Sequence, residues 1–150
     1  MPIDLFAFAQ EHLLYEVQML NESRSMKPVD QITTNIKVEN FALHLKNLLE
    51  FFYPSNSDAN NVVASDYIAD WDEKRPAITH RLEGARARAA RELNHLTTQR
   101  IARTAVHKEW DFEGISEDLN RIVSNFIALE PKIPQVVISE LREVDPSGGF

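Results

Sequence analysis

The sequence predicts an all-α chain, arranged as an up-and-down four-helix bundle with a short additional C-terminal helix. Three observations carry that reading. Seven prolines (Pro2, Pro28, Pro54, Pro76, Pro131, Pro134 and Pro146) fall between segments of apolar periodicity, where a missing N–H is tolerated. Within those segments apolar residues recur at helical spacing, and few β-branched runs alternate with a period of two. Most connections are short, which favours antiparallel neighbours.

The first helix is predicted over Asp4 to Ser23, with Leu5, Ala9, His12, Leu13, Glu16 and Leu20 on one face. The second, Asp30 to Phe52, is the most apolar. Phe41, Leu45, Leu48, Leu49 and Phe52 form its stripe, and Leu43 and Phe51 widen it, which predicts cover on more than one side. Residues 54–65 are rich in Ser, Asn and Asp and read as a loop, long enough to cross the bundle end, before a short turn at Asp66–Asp70. The third helix is predicted from Pro76, a residue favoured at the first helical position, to Arg103. Its core face is Ile78, Leu82, Ala85, Ala89, Leu93 and Leu96. A fourth helix follows Trp110 and Asp111, from Glu113 to Leu129, with Ile115, Leu119, Ile122, Val123 and Phe126 inward. The last helix is Gln135 to Val144, ahead of a flexible tail at residues 145–150. No internal repeat or interdomain linker divides residues 1–150, so a single helical domain is predicted.

A 150-residue chain that is 43% hydrophobic and 26% charged is long and apolar enough to fold around a core. Zero cysteines exclude a disulfide framework, a thiolate zinc site and a cysteine nucleophile. No apolar run approaches the ~20 residues that cross a bilayer. Met1-Pro2-Ile3-Asp4 lacks the start of a secretory signal. A soluble, cytoplasmic protein without membrane partners is the expectation. The net charge of −7 argues against a generic nucleic-acid coat, but it is unevenly spread. Residues 1–73 carry 4 basic and 12 acidic side chains, residues 74–103 carry 8 and 2, and residues 104–150 carry 4 and 9. The third helix is therefore a cationic element in an anionic chain.

Its polar positions are ordered. Arg81, Arg88 and His95 are spaced by seven, and at about 100° per residue they line up beside the apolar face, roughly 70–110° from its centre. Glu92 sits closer to the core, Gln99 continues the row, and Arg91 lies one turn before His95, further toward solvent. Such a row falls where a second helix or a second subunit meets it. Histidine transfers protons near neutrality and arginine offers fixed donors matched to phosphate, so the pair suits metal-independent cleavage of an RNA phosphodiester. The same row equally serves as a set of ion pairs to neighbouring carboxylates, individually worth little.

The segments Phe41-Ala-Leu-His-Leu-Lys-Asn-Leu-Leu-Glu-Phe-Phe-Tyr53 and Arg91-Glu-Leu-Asn-His-Leu-Thr-Thr-Gln-Arg100 resemble signatures of an uncharacterised bacterial helical-bundle family, which is itself similar to HEPN-type domains. The resemblance covers roughly residues 38–103. It implies an RNase or nucleotide-handling partner of toxin–antitoxin and defence systems, with an arginine, four to six variable residues and a histidine, completed by homodimerisation. Arg88 and His95, with six residues between them, meet that spacing and become the candidate catalytic pair; Arg91 and His95 do not meet it. The residue after the arginine, often polar in active members, is Ala89 here.

His44 and Asn47 interrupt the most apolar helix and border its core stripe. Together with Arg81 and Arg91 they are the candidate binding residues, His44 reading either as a pocket partner of His95 or as a hydrogen-bonded interface histidine. Glu92-Leu-Asn-His95 has the Glu-x-x-His spacing of bundle di-metal sites, but no second copy exists, and no metal or other cofactor is assigned. A mononuclear site from Glu16, His44, Glu92 and His95 stays open, against a neutralised inward Glu16. Asp66, Asp70, Asp72 and Glu73 around Trp71 read either as a divalent-cation cluster or, in preference, as ordinary acidic residues ahead of a helix. Three function classes follow: a non-catalytic interaction or regulatory module, acting as a homodimer or on a protein partner; an HEPN-like RNase or RNA-binding protein; and a metal-binding bundle.

Overall fold

The structure, a computed structural model, describes residues 3–56, 58–94 and 110–144, excepting the side chains of residues 92 and 94. The described residues form helices and no strand. Residues 95–103 of the expected third helix and the expected tail at 145–150 lie outside them.

The first helix, α1, is built in three pieces: an α-helical turn Leu5–Phe8, a π-helical stretch Ala9–Leu13 and an α-helix Leu14–Ser25. Asp4 caps it by accepting from the amides of Phe6 and Ala7 at 3.0 and 3.1 Å. The π-turn explains a departure from the expected face. A π-helix bonds i to i+5 and so slips the phase of the residues around it. His12, expected with the core residues, is exposed and stacks on Phe8 with ring centroids 4.9 Å apart. Leu13, Leu14, Val17 and Leu20 make the buried face instead. No proline or glycine marks this turn in the sequence.

Helix α2, Gln31–Phe52, begins with a capping box in which Asp30 accepts from the Thr33 amide and Thr33 Oγ1 accepts from the Asp30 amide. Its expected stripe (Phe41, Leu45, Leu48, Leu49, Phe52) is buried throughout, and so is Phe51. Leu43 is 42% exposed, so the expected extra cover does not reach it. The carbonyls at the end of α2 have no intrahelical partner and are satisfied from outside. Phe52 O accepts from Trp71 Nε1 (2.8 Å) and Arg75 (3.1 Å), and Tyr53 O accepts from Arg86 (2.7 Å). Three residues distant in sequence thus satisfy the end of the longest described helix.

After a 3-10 turn at Ala64–Asp66, helix α3 is the single turn Trp71–Lys74. The helical turn expected at Asp66–Asp70 is therefore divided into one turn before it and one after. Helix α4 spans His80–Asn94 among the described residues. It starts four residues after Pro76, because Thr79 supplies the cap: its Oγ1 accepts from the Leu82 amide at 3.1 Å. Pro76 instead offers its carbonyl to the Tyr53 hydroxyl at 2.6 Å. Helix α5, Phe112–Ala128, is capped by Asp111, and α6 spans Gln135–Val144.

Helix α1 packs along α2, α2 against α4, and α4 against α5, while α1 also meets α5 and α6. Leu82, Ala85 and Ala89 are buried on α4, and the alanines permit close approach. The centre is aromatic. Phe126 of α5 lies within 5.5–6.1 Å, centroid to centroid, of Phe51, Phe52, Tyr67 and Trp71. Burial of each such side chain is worth about 1.5–3 kcal/mol. No described helix is long and apolar enough to cross a membrane.

Candidate functional site

The cationic face of α4 meets α5. Arg81 donates to Gly114 O at 3.0 Å and stands 3.4 Å from Asp111 and 3.6 Å from Asp118. Asp118 is buried, and it also accepts from Thr79 Oγ1 at 2.8 Å and faces Arg121 at 3.6 Å. A carboxylate out of water needs such partners. One acid thus joins the cap of α4, the first arginine of the row and the middle of α5. Two turns along α4, the half-buried Arg88 places its guanidinium 4.5 Å from the Trp110 ring centroid, a cation–π contact. The described part of the arginine row therefore lies between α4 and the segment that runs from Trp110 into α5 of the same chain. His95, and with it the Arg88–His95 pairing, falls outside the described residues; Arg91 is exposed.

His44 and Asn47 do come together, on a residue of α1. His44 Nδ1 donates to Glu16 Oε2 at 2.7 Å and Asn47 Nδ2 donates to Glu16 Oε1 at 3.1 Å. A carboxylate only accepts, so Nδ1 carries the proton in this contact. The His44 side chain is 5% exposed and that of Glu16 21%. Tyr15 presents a ring edge to His44 at 5.7 Å. Glu16 is thus an inward carboxylate with a partner on each oxygen, supplied by α2 rather than by Arg88. Glu92 and His95, the other members of the mononuclear metal set, are not among the described side chains. Among the described residues no group of three or more His, Asp or Glu side chains is placed to hold a metal ion.

Beside this triad opens a cavity of about 450 Å³ between the π-turn of α1, the second half of α2 and the loop at residues 60–62. A second cavity, about 650 Å³, lies between the ends of α2 and α4, around Tyr53, Arg75 and Arg86. Glu50 borders both. Burial favours the neutral form of Glu50, but hydrogen bonds from Arg86 and Ser55 outweigh it and hold the carboxyl below its ordinary value of 4.5. The acids around Trp71 are held locally: Asp70 pairs with Lys74 at 2.7 Å, Asp72 with Arg75 at 3.2 Å, and Asp66 accepts from the Val63 amide at 2.8 Å.

Sequence reasoning missed Arg86, Thr79 and Asp118. Arg86 was legible only as one cation among eight. Asp118 was not singled out, although its spacing of seven from Asp111 places both on the face that meets Arg81. Compared with protein-family models, curated proteins and solved structures, the chain matches none.

Proposed function

We propose that the chain is a non-catalytic interaction module, a cytoplasmic four-helix bundle that works as a homodimer through the outer face of α2. One observation carries the reading. Val29, Ile32, Ile36 and Leu43 are 86, 70, 44 and 42% exposed, and the last three lie within about 40° of one another around the helix. Exposed apolar side chains gathered on one helix face, here with Glu39 between Ile36 and Leu43, are the kind of surface that meets another protein.

The occupant is a second copy because the row is complementary to itself. Two α2 helices laid antiparallel, with the two-fold axis near residues 39 and 40, bring each Ile36 to the partner's Leu43. Four apolar side chains then close on one another, and the symmetry closes at two subunits. Glu39 lies in the row itself, between Ile36 and Leu43 and beside the two-fold axis, and Lys46 and Glu50 continue it toward the end of α2. This moves the dimer contact from the arginine–histidine seam, where the sequence reading put it, because Arg81 and Arg88 are committed to α5 and Trp110. The same commitment sets the ribonuclease reading behind this one: an arginine engaged by its own chain has to be released before it reaches a phosphate.

Sedimentation equilibrium tests the proposal. The expected result is a mass near twice 17.2 kDa for the wild type and a monomer for Ile36→Glu/Leu43→Glu, with unchanged circular dichroism. A wild type that stays monomeric overturns it. Chelator-resistant cleavage of structured RNA, lost in Arg88→Ala, would restore the ribonuclease reading in its place.

A further inference from the structure

The cavity beside Glu16 has a consistent electrostatic character. Among the described residues no lysine or arginine lines it, whereas two carboxylates do, those of Glu16 and Glu50. Glu50 is offset by Arg86, so Glu16 is the principal anchor. His44 and Asn47 fix the Glu16 carboxylate on α1, and each carboxylate oxygen has further accepting capacity. Because Asn47 donates its Nδ2 to Glu16, its carbonyl oxygen remains as an acceptor. Asn60 and Asn61 line the cavity from the loop.

The remaining walls are apolar and aromatic. Phe8 lies on the rim, with His12 stacked on it, and Phe51 and Leu48 form the floor. Aromatic faces attract cations, and an apolar floor suits an alkyl stem. The acceptors do not converge as a metal shell, since no described trio of acids and histidines is placed to hold an ion. They suit a ligand with donors at one end and carbon behind, and the volume is within the range of small-molecule sites.

We infer that this cavity binds a small organic ammonium ion, its cationic head on the Glu16 carboxylate and the Asn47 carbonyl, its alkyl stem against Phe8, Leu48 and Phe51. The site adjoins the C-terminal end of the outer row of α2, where Glu50 borders both, but Val29, Ile32, Ile36 and Leu43 do not line it.

The probe is n-butylammonium, titrated into the wild-type protein while amide and side-chain amide resonances are followed by NMR. Saturable shifts are expected at the side-chain amides of Asn47, Asn60 and Asn61, with none from n-butanol or butyrate at equal concentration. Glu16→Gln is expected to weaken binding at least tenfold. Val62→Trp, which fills the cavity from the loop side and leaves the Glu16–His44–Asn47 contacts alone, is expected to abolish it. If Glu16→Gln loses the fold, Val62→Trp decides. Equal shifts from butanol, no saturable shifts, or undiminished binding by folded Glu16→Gln or by Val62→Trp would overturn the assignment.

Discussion

Gly114 is required by what approaches it. A Cβ at this position stands 2.3 Å from Asp111 Oδ2 and 2.6 Å from an Arg81 guanidinium nitrogen, closer than real Cβ contacts come. Both neighbours are side-chain ends, so Gly114→Ala is expected to fold, with Arg81 displaced from Gly114 O and the Asp111 cap loosened. The expected loss is about 1–2 kcal/mol by urea denaturation. Tyr67 gives a second prediction at this scale. Its hydroxyl donates to Leu5 O at 2.7 Å, holding the start of α1. Burial, with Asp66 and Asp4 nearby, pushes the phenol up to about 12 from its ordinary value of 10. The folded state therefore holds this proton more tightly than the unfolded one. The stability it contributes is fully present below pH 10 and lost as pH rises toward 12. Tyr67→Phe is expected to lose about 1 kcal/mol at neutral pH and to show a shallower alkaline decline in its urea midpoint. Single residues were partly legible in the sequence. His44, Asn47 and Glu16 were singled out, because polar groups in an apolar stripe need partners. That the three meet one another is a matter of packing between α1 and α2, which no spacing within one helix encodes.

Elements were the most legible scale, because caps and periodicity are local. Asp4 and Asp30 precede α1 and α2 as their helices begin, and Gln135–Val144 falls where the pattern put it. The misses have local causes too. Pro76 resembled a helix start, yet Thr79 has the side-chain oxygen that the first amides of α4 need. The π-turn in α1 leaves no compositional mark, so His12 was assigned to the wrong face. The end of α5 carries a test of its own. Glu130 has a φ of 56°, a left-handed conformation that glycine adopts without a Cβ penalty, directly after the last turn of the helix. Glu130→Gly is expected to stabilise the protein by about 0.5–1 kcal/mol, as relief of that penalty exceeds the added freedom of the unfolded chain. A lower midpoint in urea would show that the Glu130 side chain contributes more than its backbone costs.

At the scale of the whole molecule, the all-helical class follows from the sequence, and the partition between inner and outer faces follows only from the assembled helices. The apolar pattern of α2 runs around more than half of its second half, so sequence alone predicted cover on several sides. In the fold, α1 and α4 take the inner face, and Ile32, Ile36 and Leu43 are left outside. The charge asymmetry resolves differently: among the described residues of the arginine-rich segment, Arg81 pairs with Asp111 and Asp118 and Arg86 with Glu50, all acids of the same chain. The central claim, that α2 pairs antiparallel with α2 of a second copy, makes a geometric prediction that mass alone does not test. The chain has no cysteine, so Asn35→Cys introduces a single site for a nitroxide label on the exposed flank of the row. In the proposed dimer the two labels are offset by nine residues of helix rise, about 14 Å, and by a helix-to-helix spacing of about 8–10 Å. Pulsed dipolar EPR is expected to give one narrow distance distribution near ~20 Å, lost in the Ile36→Glu/Leu43→Glu background. A featureless background in the wild-type row, or a defined distance beyond ~40 Å, would contradict antiparallel pairing along α2.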